Sequence, residues 1–163
     1  MIEKPARQIN TVIMTFIILG LMACITTPHV STKVENGIHL EQYKTYRLQP
    51  GKIYSEPGRP ADPAGVEAVL KSDIPKELEQ RGLKLSTDNP DLIFTYAATR
   101  RLEHTQEEGW AYHEGIIDLM AVDATGQKVW SSHLQAILDP SDKTYRQLKE
   151  AIVRAFKNYP SVK

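Results

Sequence analysis

Between residues 91 and 138 three successive segments alternate apolar and polar residues at period two, and an apolar stripe at helical spacing lies on each side of them. Leu92, Phe94 and Tyr96 alternate with Ile93, Thr95 and Ala97. Gly115 to Asp123 carries Ile117, Leu119 and Ala121 on one side. Val129 to Leu138 carries Trp130, Leu134, Ala136 and Leu138 on one side and Ser131, His133 and Gln135 on the other. Successive strand side chains point to opposite faces, so these segments read as strands with one buried face. The last two flank Asp123-Ala124-Thr125-Gly126, where Gly126 suits the left-handed position of a short hairpin loop.

The stripe before the strands is Val66, Leu70, Ile74 and Leu78, with Val69 beside it. Asp62-Pro63 supplies an N-cap and a first-turn proline, and Gly82 a C-terminal stop. Pro75 removes a helix hydrogen bond, yet the stripe stays in phase through it, so one kinked helix is expected. The stripe after the strands is Tyr145, Leu148, Ile152, Phe156 and Tyr159, opened by Asp139-Pro140-Ser141 and ended by Pro160. Earlier in the chain, Val30 to Val34 reads as a short strand, Asn36-Gly37 as a turn, and Ile38 to Leu48 as extended toward its end. Gln49 to Ala61 holds Pro50, Gly51, Pro57, Gly58 and Pro60 and reads as a loop. Leu83 to Ser86 reads as a short strand and Thr87 to Pro90 as a turn. The expected class is α+β, with an antiparallel sheet of about four to five strands and both helices packed on one face.

The N-terminus carries a different kind of signal. Lys4 and Arg7 precede an apolar run from Val12 to Leu21, and Leu21-Met22-Ala23-Cys24 follows. A basic start, an apolar centre and a small residue before the cut describe a signal peptide. The run is shorter than the roughly 20 apolar residues of a membrane span. Cys24 is the only cysteine of the chain. The expected organisation is a signal peptide over 1–23, a lipidated Cys24 and tether over 24–36, and one domain over 37–163. About 140 residues remain after such a cut, enough for one hydrophobic core without disulfides.

Hydrophobic residues make up 41% of the chain and charged residues 25%, with a formal net charge of zero. That balance, without a basic stripe, argues against nucleic acid as a partner. The basic residues of the last helix, Lys143, Arg146, Lys149, Arg154 and Lys157, read as a solvated face.

The segment Glu103 to Glu114 is the most polar and His-rich of the domain. His104, Glu107, Trp110, Tyr112 and His113 make it the candidate binding loop. His and carboxylate are ordinary zinc ligands, but the spacing fits no zinc signature and there is no His-Glu-x-x-His. A solvated hairpin between two strands accounts for it better, and no metal is expected. Ser131 and His133 share a strand face without an evident acid, and no Gly-x-Ser-x-Gly elbow or phosphate-cradling glycine loop is present. No catalytic residue and no cofactor are expected.

Two resemblances add to this. Leu21, Ala23 and Cys24 resemble the bacterial lipobox, which implies acyl chains on Cys24 and a membrane anchor. Ile25 stands after Cys24 where an Asp would favour the inner membrane, which implies the outer membrane facing the periplasm. Tyr43-Lys44-Thr45-Tyr46, then Leu78 to Gly82 with Asn89-Pro90-Asp91-Leu92, then Glu114-Gly115 and Asp123 to Trp130 resemble, in order, the first strand, helix end and hairpin of domain-of-unknown-function family 4136. That family of bacterial lipoproteins has no established catalytic residues. With no recognised catalytic pattern, three readings remain, in this order: a non-enzymatic envelope protein that binds a protein or cell-wall partner, a domain that binds a small ligand or lipid between sheet and helices, and an enzyme with an unrecognised site.

Overall fold

The computed structural model describes residues 27–54, 62–104, 111–137 and 144–162. Its strands are β1 (His29–Val34), β2 (Thr45–Tyr54), β3 (Lys84–Leu85), β4 (Leu92–His104), β5 (Ala111–Asp123) and β6 (Lys128–Ile137). Helix α1 spans Pro63–Gln80 and α2 spans Arg146–Phe156. The strands form one sheet in the order β1-β6-β5-β4-β2-β3.

The sheet therefore has six strands rather than four or five, and it is mixed rather than antiparallel. β1, β6, β5 and β4 pair antiparallel, but β2 runs parallel to both β4 and β3. The cause is α1. It returns the chain along the full length of the sheet, so the strands on either side of it must point the same way.

β2 also continues through residues expected to form a loop, as far as Tyr54. Its pairing with β4 slips between Gln49 and Lys52, at Pro50-Gly51. β3 covers β2 only at Thr45 and Tyr46. Pro50 therefore lies on a free edge, where its missing N–H costs no ladder bond. A Cβ on Gly51 would collide with the Tyr96 carbonyl, so only glycine fits this bulge.

Both helices pack on one face. The core beneath them joins Leu70, Ile74 and Leu78 of α1 and Leu148, Ile152 and Phe156 of α2 to Tyr46, Phe94, Leu119, Trp130 and Leu134 of the sheet. Trp130 is fully buried, stacked on Phe156 at 5.0 Å between ring centroids and edge-on to Tyr159 at 5.9 Å. Ser132 shares that face and is also buried, its hydroxyl held by Thr32 Oγ1 at 2.9 Å.

α1 is a single helix through Pro75, capped by Asp62, whose carboxylate accepts the Gly65 N–H at 2.8 Å. The second helix begins at Arg146, and Asp139-Pro140-Ser141, expected to open it, lies outside the described residues. Thr144 and Tyr145 are not helical, and Tyr145 takes a left-handed backbone at φ 49°. Its hydroxyl donates to Asp62 Oδ2 at 2.5 Å, so the two helix starts are tied together. These bonds hold the Asp62 carboxyl below the usual carboxylate range, the Tyr145 bond contributing most. At the other end Arg81 is nearly buried. It donates to Glu77 Oε2 at 2.7 Å and to the Phe156 carbonyl at 2.8 Å, clamping α1 to the end of α2. Among the described residues no helix is long and apolar enough to cross a membrane.

Candidate functional site

Strand alternation that buries Phe94, Leu119 and Trp130 turns their neighbours to the other face, against which no described helix packs. Register makes that face into rows. Thr95, Met120, Ser131 and Lys33 form one row, and Ala97, Asp118, His133 and Ser31 the next. Ile93, Ala97, Ile116, Met120 and Val122 are the apolar residues of this face on β4 and β5, interrupted by Thr95, Thr99 and Asp118, with Met120 39% exposed. Polar residues flank it: Ser131, His133 and Gln135 on β6, and Arg47 and Gln49 on β2. Partly exposed apolar residues mixed with polar ones on an uncovered face are compatible with a contact surface.

The acid missing from the sequence reading of His133 is Asp118. Its Oδ1 lies 2.7 Å from His133 Nδ1 across the β5–β6 pair, with both side chains largely in solvent. The pair fixes the imidazole orientation, as carboxylates do for catalytic histidines. The bond uses Nδ1 of the ring, so this face presents an oriented imidazole. Strand pairing was the information needed to find Asp118, since it is 15 residues away in sequence.

A second feature is an open cleft of about 400 Å³ between β1 and the end of α2, lined by Pro28, His29, Thr32, Arg154 and Asn158 among others. Its lining is mainly polar, and Arg154 is engaged with Glu150 at 2.7 Å. Ligand pockets are mostly apolar and enclosed. The space between sheet and helices, where a ligand was the alternative expectation, holds the Phe94, Trp130, Phe156 and Tyr159 ring cluster.

Of the residues singled out from sequence, Cys24, Glu107 and Trp110 lie outside the described residues. His104, Tyr112 and His113 are strand positions rather than loop positions. β4 and β5 continue their pairing to His104 opposite Ala111, Glu103 opposite Tyr112 and Leu102 opposite His113. Among the described residues no three His, Cys, Asp or Glu side chains gather as a metal site would require. The other shifted carboxyls serve the fold. Asp91 accepts the Lys44 and Thr45 N–H groups at 2.8 and 2.9 Å, tying β2 to the start of β4, and the Lys44 bond contributes most to holding its carboxyl low.

A mixed six-stranded sheet with two helices on one face and an open second face defines an α+β sheet–helix domain. The chain belongs to the family described as Domain of unknown function (DUF4136), whose family model matches residues 30–161. No curated protein matches it. Among solved structures it is similar to a DUF4136 family protein from Bacteroides thetaiotaomicron, at 16% identity and a TM-score of 0.55, covering 83% of this chain and 97% of that one. It is also similar to the PelC dodecamer from Paraburkholderia phytofirmans, at 12% identity and a TM-score of 0.51, covering 78% of this chain and 96% of that one. A PDZ domain protein from Parabacteroides distasonis is similar at 14% identity and a TM-score of 0.52. That match covers 82% of this chain but 36% of that one, so the present chain spans about a third of its length. At these identities the likeness is one of fold.

Proposed function

We propose that this protein is a non-enzymatic lipoprotein of the bacterial cell envelope, anchored through acyl chains on Cys24, which binds a protein or cell-wall partner through the open face of its sheet. The observation that supports the binding role is the set of apolar residues Ile93, Ala97, Ile116, Met120 and Val122 on that face, with which no described helix packs. The anchor rests on Leu21-Met22-Ala23-Cys24 after a basic start and an apolar run. Each acyl CH₂ buried in lipid contributes about 0.8 kcal/mol, so two or more chains give stable attachment. Ile25 after Cys24 favours the outer membrane, with the domain facing the periplasm. PelC chains of the same fold form a dodecamer, which supports subunit or partner contact as a use for this domain shape.

The test has two parts. Cys24→Ala should abolish lipid labelling and release the protein from the membrane fraction; a variant that stays membrane-bound is a retained span. A photocrosslinking residue at Met120, on the open face, should give discrete adducts in intact cells. The same residue at Val153, exposed on α2, should not. Equal yields at both positions would remove the sheet face from the proposal.

A further inference from the structure

The two edges of the sheet are built differently. One is formed by β2 and the two-residue β3, and its pairing is interrupted at Pro50-Gly51. A short strand, a proline and a bulge are the usual devices that keep a sheet edge from pairing with another chain. The other edge is β1, which pairs with β6 over six consecutive residues without a register shift. It holds no proline, glycine or bulge, and among the described residues no strand lies beyond it.

Two contacts fix which backbone groups of β1 are free. The Glu35 N–H donates to the Val129 carbonyl at 3.1 Å, and the Ser31 carbonyl accepts the Ser132 hydroxyl at 3.2 Å. Ser31, Lys33 and Glu35 therefore turn N–H and C=O toward β6, and Val30, Thr32 and Val34 turn theirs outward. The side chains of Val30, Thr32 and Val34 lie on the helix side, opposite Leu134, Ser132 and Trp130. Val34 nevertheless remains 40% exposed there.

The segment His29-Val30-Ser31-Thr32-Lys33-Val34-Glu35 complements itself when reversed about Thr32. An antiparallel second copy in that register sets Thr32 opposite Thr32 and Val30 opposite Val34. All of these have outward backbone groups, so each pair exchanges two hydrogen bonds. Ser31 then faces Lys33, and His29 faces Glu35. Centring the pair on Lys33 would oppose two lysines. Centring it on Ser31 would oppose Val34 to Pro28, which has no N–H to give. Lys33 is itself an edge-guarding residue type. Its ammonium is already held by Glu35 at 2.7 Å, and it lies on the open face, away from Val34.

We propose that a second copy of this chain adds to β1, antiparallel and centred on Thr32, so that two sheets continue as one. Val34 of each copy is covered by Val30 of the other. The contact lies at the sheet edge and leaves the open face free for a separate partner.

The experiment uses the full chain in intact cells. Ser31→Cys and Lys33→Cys are introduced together and singly. In this register residue 31 of one copy and residue 33 of the other form a non-hydrogen-bonded pair, with Cα atoms about 4.5 Å apart and within disulfide reach. Two copies of residue 31, or of residue 33, lie diagonally about 7–8 Å apart and out of reach. After mild oxidation and non-reducing electrophoresis, the double variant should give a covalent dimer, and each single variant no more than the parent chain with Cys24 alone. Adding Val34→Pro should abolish the dimer. That N–H points away from β6 and Val34 is outside the core, so the purified variant should keep the parent's thermal transition. No dimer above the parent's background, or equal yields from the double and single variants, overturns the proposal. A dimer that survives Val34→Pro in a folded chain overturns it as well.

Discussion

Trp130→Ala is the sharpest test of the packing described above. The indole is fully buried and touches three other rings: Phe156 stacked at 5.0 Å, Phe94 tilted at 5.8 Å and Tyr159 edge-on at 5.9 Å. Truncating a buried aromatic costs about 3–5 kcal/mol, and each well-placed ring pair adds about 0.5–1.5 kcal/mol beyond its buried area. One term opposes this. Trp130 Nε1 is buried without a hydrogen-bond partner, so removing it relieves about 1–3 kcal/mol. The net expectation stays near 3–5 kcal/mol, a large share of a typical domain's stability of about 5–15 kcal/mol. Trp130→Phe keeps a ring on Phe156 and removes the unpaired N–H, so it should cost less than about 2 kcal/mol. His133, three residues on and on the open face, pairs with an exposed Asp118. His133→Ala should cost no more than about 1 kcal/mol. Urea unfolding followed by far-ultraviolet circular dichroism reads all three without relying on tryptophan emission. With a urea slope of about 2 kcal/mol per molar, Trp130→Ala should lower the midpoint by about 2 M. A near-neutral Trp130→Ala beside a severe His133→Ala would mean that β6 is out of register by one residue.

Other expectations follow from single contacts. Gly51→Val puts a side chain into the Tyr96 carbonyl and should cost at least about 3 kcal/mol by thermal unfolding; a neutral result would place the β2 bulge elsewhere. Glu77→Ala leaves the nearly buried Arg81 without its carboxylate and should cost about 3 kcal/mol, whereas a double change with Arg81→Met should recover part of it. The Asp91 carboxyl is held below its usual range, so its contribution is present above the unfolded carboxylate pKa and is lost as pH falls through the lower folded value. Asp91→Asn should flatten stability against pH on the acid side, and an unchanged acid limb would count against the β2–β4 tie. A protein beginning at Thr27, without the signal region and Cys24, should remain soluble and unfold in one cooperative transition, since the described residues from Val30 onward already form one core.

Local periodicity and turn chemistry settled much of this protein from its sequence. The stripe from Val66 to Leu78 gave α1 its buried face, and alternation in β4, β5 and β6 separated Trp130 from His133. Asp62-Pro63 marked a helix start, and Gly126, at φ +84°, marked a hairpin loop. Each of these is a preference of a few neighbouring residues, so it survives without knowledge of the rest of the chain. Glu77 and Arg81, one helical turn apart, were also readable by spacing, but their burial was not. Only the tertiary structure decided the direction of β2, because a strand's pairing partner is fixed by the crossover that follows it. It also turned Pro50-Gly51 from a loop into a bulge, because a proline's cost depends on whether its edge is free. The same holds for the contact surface. Asp118 met His133, and Met120 joined Ile93 and Ile116, only when separate strands came into register, since the sequence order of residues carries no distance across a sheet.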